Sequence, residues 1–136
     1  MLRGLVGQRL VRRLCPHCAR PSTPEEVRLH EAARPATLKS LGKSTNWHEP
    51  VGCPACARTG YLGRLGVYEI ATAKGGLDSG LRRNLDENGL EAIARKTGFA
   101  SMLEDGYVKA RAGQTTLSEV YRVARAGDPA AELEPA

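Results

Sequence analysis

Residues 53–71 read CPACARTGYLGRLGVYEIA, and the rest of the chain is best understood outward from them. Cys53 and Cys56 form a C-x-x-C pair, a tight turn that aims two thiolates at one ion. Glycines at 60, 63 and 66 then punctuate the approach to Leu65–Ile70, a β-prone run, so Gly60–Ile70 is expected to form a tight turn leading into a strand. Toward the N-terminus a second C-x-x-C pair, Cys15 and Cys18, completes a set of four cysteines, the full complement of this 136-residue chain. Four soft ligands in two such turns predict a tetrahedral zinc site with Cys15, Cys18, Cys53 and Cys56 as its ligands. With all four positions filled, such a zinc is structural rather than catalytic. Residues 19–52 make a long loop between the pairs, yet loop closure costs only about 0.6 kcal/mol more for each doubling of length. The alternatives for these cysteines are ordinary buried thiols or a redox pair. Arg13, Arg20 and Arg58 lie near the knuckles, where they can offset thiolate charge. His17, His30 and His48 are read as surface residues, because four cysteines already satisfy the ion.

Twenty Lys+Arg against 15 Asp+Glu, a net charge of +5 and 41% hydrophobic residues describe one small domain or a fragment of a larger protein. No run approaches the roughly 20 apolar residues of a membrane-spanning helix, which excludes an integral membrane protein. In the N-terminal stretch MLRGLVGQRLVRRL the arginines at 3, 9, 12 and 13 are spread out rather than gathered ahead of an apolar block, unlike a secretory signal. Cysteine in such a chain points to metal in a reducing compartment rather than to disulfides. Aromatic residues amount to only 4%, so large rings are not expected to dominate the core, and a metal is expected to supply cohesion. Residues 1–24 contain no acid, while the last stretch carries Asp128, Glu132 and Glu134. That asymmetry favours an anionic partner.

The expected fold class is α+β, mostly α: a tetracysteine zinc subdomain, a short strand segment and a C-terminal helical subdomain. Leu2, Leu5, Val6, Leu10 and Leu14 recur largely at spacings of three and four, so residues 1–14 are expected to form an amphipathic helix. Residues 15–59 form the zinc-binding subdomain, 60–76 the Gly-rich turn and strand, 77–126 the helical subdomain and 127–136 a flexible tail. Thr23-Pro24-Glu25-Glu26 joins an N-cap threonine, a proline at the first helical position and a glutamate three residues on, predicting a helix to about Ala33. Pro35–Pro50 reads as a variable connection with one helical turn around Leu38 and Leu41. Start signals at Asn88, Ser101 and Thr116 predict helices from about 89, 102 and 117, following one near 78–86. Leu117, Val120, Tyr121 and Ala124 then form the packing face of the last.

Gly42-Lys43-Ser44-Thr45 copies the end of a phosphate-binding loop, G-x-x-x-x-G-K-[ST]. The position of the first glycine holds Thr37, and Arg34-Pro35-Ala36 stands where a hydrophobic strand belongs. No nucleotide-binding and no catalytic residues are therefore assigned. Zinc knuckles beside a basic segment also fit a free-standing nucleic-acid-binding protein. The absence of Phe, Trp or Tyr from the first 46 residues leaves that alternative without stacking platforms.

Three stretches occur in a telling order: GQRLVRRLCPHC (7–18), VGCPACARTGYLGRLGVYEI (51–70) and GFASMLEDGYVKARAGQTTLSEVYRV (98–123). From about Leu2 to Arg125 the chain resembles the C-terminal portion of the ATPases that drive type II secretion and type IV pilus assembly, the general secretion pathway protein E type. The resemblance implies zinc on the four cysteines in a small subdomain of a RecA-like motor, with Gly60–Ile70 returning to the motor's sheet. It implies hexameric, ATP-driven work at the cytoplasmic face of the bacterial inner membrane. The phosphate loop, the magnesium-binding acids and the arginine fingers of that family lie upstream of this stretch, so the chain alone is expected to hydrolyse no ATP. An ATPase core or neighbouring motor subunits are the implied partners. A lone strand at 65–70 with unpaired edges, and a patch of Leu2, Val6, Leu10, Val67 and Ile70, are expected to drive self-association or docking on that core.

Overall fold

The computed structural model describes residues 4–72, 86 and 101–124. In chain order its elements are β1 (Gly4–Leu14), β2 (Arg20–Pro21), α1 (Pro24–Ala32), β3 (His48–Glu49), β4 (Tyr61–Thr72), α2 (Met102–Arg111) and α3 (Leu117–Ala124). Short 3-10 turns occur at Ala36–Leu38 and Pro54–Cys56. The chain is α+β, but not mostly helical over these residues: helices of nine, ten and eight residues stand beside strands of eleven and twelve. The expected helix near 78–86 apart from Asp86, the one from 89, the residues 73–76 and 127–136, and Leu2 lie outside the described residues.

The amphipathic helix expected over residues 1–14 is a strand wherever it is described. β1 pairs antiparallel with β4, in register from Gly4 opposite Thr72 to Arg12 opposite Arg64. A helix would have stacked Arg9, Arg12 and Arg13 at i, i+3 and i+4, a repulsive arrangement, and would have carried Gly4 and Gly7 at a cost of about 1 kcal/mol each. The strand sends Arg9 and Arg13 to one face and Arg12 to the other. Between Arg12 and Leu14 the register shifts, with Gly63 opposite at φ +80°, a bulge that needs the left-handed backbone glycine permits.

The two faces of this hairpin differ. One, carrying Val11, Leu65 and Val67, packs on Met102, Val123 and Ala124. Val67, expected in an exposed patch, is fully buried there. The other face leaves the directly paired Val6 and Ile70 71% and 53% exposed, with Tyr68 and Leu10 further along it. The strand read as solitary thus has β1 along one edge. Its far edge is partly covered by α2, where Asp105 Oδ2 accepts the Tyr68 N–H at 2.8 Å and Lys109 Nζ donates to the Gly66 carbonyl at 2.8 Å. Along the free side of β1, Arg12 is met by Glu119 and Thr115, and Leu14 N–H donates to the Gln114 carbonyl.

A second cluster joins the loop between the knuckles to α2 and α3. Trp47, Tyr107, Ala110, Leu117 and Val120 are buried together, with Val27, Leu38, Leu103, Tyr121 and Ala124 against them. Although rings are scarce, two of them occupy this centre, Trp47 and Tyr107 edge to face at 5.4 Å. The segment Pro35–Pro50 is therefore anchored through its tryptophan rather than merely spanning a gap. Cap chemistry places the helices as the sequence indicates. Thr23 and Glu26 form a reciprocal capping box on α1, Ser101 Oγ accepts the Glu104 N–H on α2, and Thr116 Oγ1 accepts the Glu119 N–H on α3. Gly106 lets α2 approach α3: a Cβ there would lie 2.4 Å from Val120 Cγ1.

Candidate metal centre

The four cysteines meet at the closed end of the hairpin. β1 delivers Cys15 and Cys18 directly after its last residue, and the turn carrying Cys53 and Cys56 leads into β4. The Cys15 N–H donates to the Gly60 carbonyl at 3.0 Å, joining the two knuckles through the backbone. The first knuckle closes with Ala19 N–H on the Cys15 carbonyl, the second with Arg58 N–H on the Cys53 carbonyl at 2.8 Å. The second turn also bends through left-handed backbone at Ala57, Arg58 and Gly60. Gly60 is needed twice over, because a Cβ there would lie 2.5 Å from Pro50 Cβ.

All four sulfurs lie within 4.8 Å of one another. Sγ–Sγ distances are 3.8 Å for Cys15 and Cys53, 3.9 Å for Cys18 and Cys56, and 3.7 Å for Cys53 and Cys56. A tetrahedron with metal–sulfur bonds of about 2.3 Å has edges of about 3.8 Å. A disulfide would have closed to about 2.0 Å, and the four cysteines are free. These side chains are therefore spaced to hold one metal ion.

Backbone amides around the sulfurs are distributed unevenly, which sequence reading did not anticipate. Cys56 Sγ accepts N–H groups from Cys53 and Gly60, both at 3.2 Å, and Cys18 Sγ accepts the Gly52 N–H at 3.3 Å. Burial works against charge on Cys56, but those amides bring its thiol down to about 6. At Cys18 the Gly52 amide favours the thiolate, yet burial and the three neighbouring sulfurs push it up to about 11. The glycines at 52 and 60, bracketing the knuckle, were the available signal.

The histidines stay outside this cluster. His17 is exposed, and His48 Nδ1 sits 2.6 Å from the Asn46 carbonyl. His30 is not a surface residue as expected. It is half-buried, stacked on Trp47 at 4.8 Å, with Nε2 2.6 Å from Glu49 Oε1. Of the nearby arginines, Arg20 is engaged by Glu26, and Arg13 lines a cleft of about 380 Å³ beside Cys15.

Gly42-Lys43-Ser44 has structural employment. Ser44 Oγ donates to the Arg111 carbonyl at the end of α2 at 2.6 Å, and the Ser44 N–H donates to Glu31 Oε1 at 3.2 Å. Arg111 in turn binds the Gly42 carbonyl. A carboxylate thus holds the amide that a phosphate would need, and Lys43 points to solvent.

The main polar tie between hairpin and helices is one that sequence reading missed. Glu119, its side chain only 3% exposed, accepts the Arg12 N–H at 2.9 Å and the guanidinium at 2.8 and 3.1 Å, with Arg122 at 2.9 Å. Burial opposes its charge, but these donors hold its carboxyl at about 2. Arg12 also lies 4.2 Å over the Tyr61 ring. No helix among the described residues is long and apolar enough to cross a membrane.

Comparison with known proteins finds relatives over most of the chain. Over 127 residues the chain is 35% identical to a putative type II secretion system protein E of Escherichia coli, covering 92% of this chain and 24% of that protein. It is 35% identical over 126 residues to the type II secretion system ATPase E of Vibrio cholerae, covering 91% and 24%. With the type IV pilus assembly ATPase PilB of Thermus thermophilus the identity is 34% over 123 residues, covering 86% and 13%. The chain thus spans a quarter or less of the length of these relatives. A family profile described as type II/IV secretion system protein matches residues 1–122, so the chain belongs to the type II/IV secretion system protein family.

Proposed function

We propose that this chain is the zinc-binding, C-terminal part of a type II secretion or type IV pilus assembly ATPase, contributing to ATP-driven transport or assembly without catalytic groups of its own. The observation that carries the zinc reading is the sulfur set, all within 4.8 Å of one another, with the Cys15–Cys53, Cys18–Cys56 and Cys53–Cys56 edges at 3.7–3.9 Å, the length a metal–thiolate tetrahedron requires. Zinc there is structural: bound, it supplies no chemistry beyond cross-linking the two knuckles. The four side chains do the rest. They fix the end of the hairpin, close residues 19–52 into one loop, and set Trp47 against Tyr107.

The partner is an ATPase core or a neighbouring motor subunit at the cytoplasmic face of the inner membrane. Supporting this is the exposed hairpin face of Val6, Leu10, Tyr68 and Ile70, an apolar surface of the kind that marks a contact with another domain. Metal analysis of the purified chain, followed by hydrogen exchange with and without chelator, tests the zinc reading. One zinc per chain is expected, and its removal is expected to release protection first around residues 12–60, because binding energy at such a site is folding energy. A metal-free preparation with unchanged exchange in chelator refutes it.

A further inference from the structure

We propose that the uncovered edge of β1 at Val6, Gln8 and Leu10 takes the same stretch of a second copy of this chain, joining two hairpins into one four-stranded antiparallel sheet. The inference goes beyond the function proposed above and needs neither the zinc nor an ATPase core, because it follows from where the backbone groups of the strand point.

In an antiparallel ladder, successive residues turn their N–H and C=O groups alternately toward the partner strand and away from it. The groups of Arg12 turn away from β4: its N–H donates to Glu119 Oε2, and its carbonyl accepts from Thr115 Oγ1 at 2.8 Å. Counting back by two, the same holds for Leu10, Gln8 and Val6, which stand opposite Gly66, Tyr68 and Ile70. On the far side of the hairpin, the corresponding groups of Tyr68 and Gly66 are met by Asp105 and Lys109. Among the described residues, nothing meets those of Val6, Gln8 and Leu10. With the exposed side chains of Val6 and Leu10 alongside, such an edge is a template for another strand.

The sequence of the edge selects its occupant. A two-fold axis through Gln8 places Val6 opposite Leu10 of the second copy, Gln8 opposite Gln8 and Leu10 opposite Val6, so every uncovered edge group meets one of its own kind. The same register sets Arg9 against Gly7 and Arg12 against Gly4, so each of these arginines faces a residue without a side chain. A shift of two residues one way brings Arg9 against Arg9 and Val6 against Arg12; the opposite shift sets Val6 against Gln8 and Leu10 against Gly4. Like charges directly opposite are unfavourable and matched apolar pairs favourable, so the register centred on Gln8 is preferred. The axis stands perpendicular to the sheet, so Val6, Leu10, Tyr68 and Ile70 of both copies join on one side into a single apolar patch, still open to the partner proposed above. The contact is isologous, and the outer edges of the enlarged sheet are the two β4 edges held by Asp105 and Lys109, so assembly stops at two copies.

The test uses the intact chain as purified. Sedimentation velocity from low to high micromolar concentration is expected to show a monomer giving way to a dimer, with no larger species. Amide hydrogen exchange followed by NMR at the two ends of that range is expected to slow by at least about tenfold with concentration at Val6, Gln8 and Leu10, while Gly7 and Arg9, which turn toward β4, are protected throughout. Gln8→Pro deletes an edge N–H without removing a bond to β4 and is expected to sediment as a monomer at every concentration; if that variant does not fold, the wild-type exchange pattern decides alone. A wild-type chain that stays monomeric, or a dimer whose Val6, Gln8 and Leu10 amides exchange at the monomer's rate, overturns the proposal and leaves the zinc and motor readings standing. Protection of those three amides that appears only when an ATPase core is added also overturns it and identifies the core as the occupant of the edge.

Discussion

Replacing Glu119 by Gln removes a buried charge on which both Arg12 and Arg122 converge, and the size of the effect can be worked out. The carboxyl is held at about 2 against an ordinary value of 4.5, a difference worth about 3 kcal/mol at roughly 1.4 kcal/mol per unit. Arg12 and Arg122 are about half exposed, so solvent screening brings the expected loss to about 2–3 kcal/mol. Because the folded pKa is depressed, this stability is fully present above about pH 4.5 and disappears as pH falls toward 2. Urea denaturation of the wild type and Glu119→Gln measures it as a difference at each pH. Loss of metal in acid affects both proteins alike and cancels. The gap between them is expected to stay constant from pH 7 to pH 5 and to narrow only below about 4.5. A gap under about 1 kcal/mol at pH 7, or one that fades between pH 7 and 5, would show that Glu119 does not bind hairpin and helices together as described.

Gly106→Ala places a methyl 2.4 Å from a fully buried Val120; overpacking of about 1–3 kcal/mol exceeds the helix-propensity gain of about 1, so thermal melting is expected to show a lower Tm, and a raised Tm refutes the close crossing. Lys43→Ala is expected to leave stability unchanged, while Ser44→Ala loses the bond to the end of α2 and about 1 kcal/mol; comparing the two by urea titration separates scaffold from phosphate loop. ATP turnover by the pure chain that vanished in Lys43→Ala would contradict that assignment. Val6→Lys alters a residue 71% exposed, so folding is expected to change by less than about 0.5 kcal/mol while sedimentation or pull-down with an ATPase core shows weakened association; unchanged association removes this face from the interface.

Much of the candidate centre is legible in the sequence because it depends on local spacing. Each C-x-x-C turn presents its own two sulfurs, and the caps at Thr23, Ser101 and Thr116 act within four residues. The strand Gly60–Ile70 is legible for the same reason, through its glycines and the β-prone residues Val67, Tyr68 and Ile70. β1 is not, because Leu5, Val6, Leu10 and Leu14 fit a helical stripe as well as a strand with apolar residues on both faces. Only the partner strand decides between them, and Val11 opposite Leu65 is a contact across more than fifty positions. Glu119 escapes notice similarly: in one dimension it is a capping-position acid on α3, and its main partner, Arg12, lies 107 residues away. Trp47 looks like a stray ring in a polar connection until Tyr107 is brought against it.

The position of the cysteines also bears on how quickly the chain can fold. Without a cross-link, pairing β1 with β4 must close a loop of about fifty residues before any ladder bond rewards it, the kind of non-local step that slows folding. The four cysteines sit at the mouth of that loop, directly beside the Leu14–Tyr61 pair. Once the ion is held, Leu14 and Tyr61 are already neighbours, and the ladder can zip outward pair by pair to Gly4 and Thr72. On the zinc reading proposed above, the ion is a nucleation device as much as a brace, converting a long-range search into local propagation. On that reading, refolding of the metal-loaded chain is expected to be faster than the apo chain's, and stopped-flow refolding across zinc concentrations measures the difference.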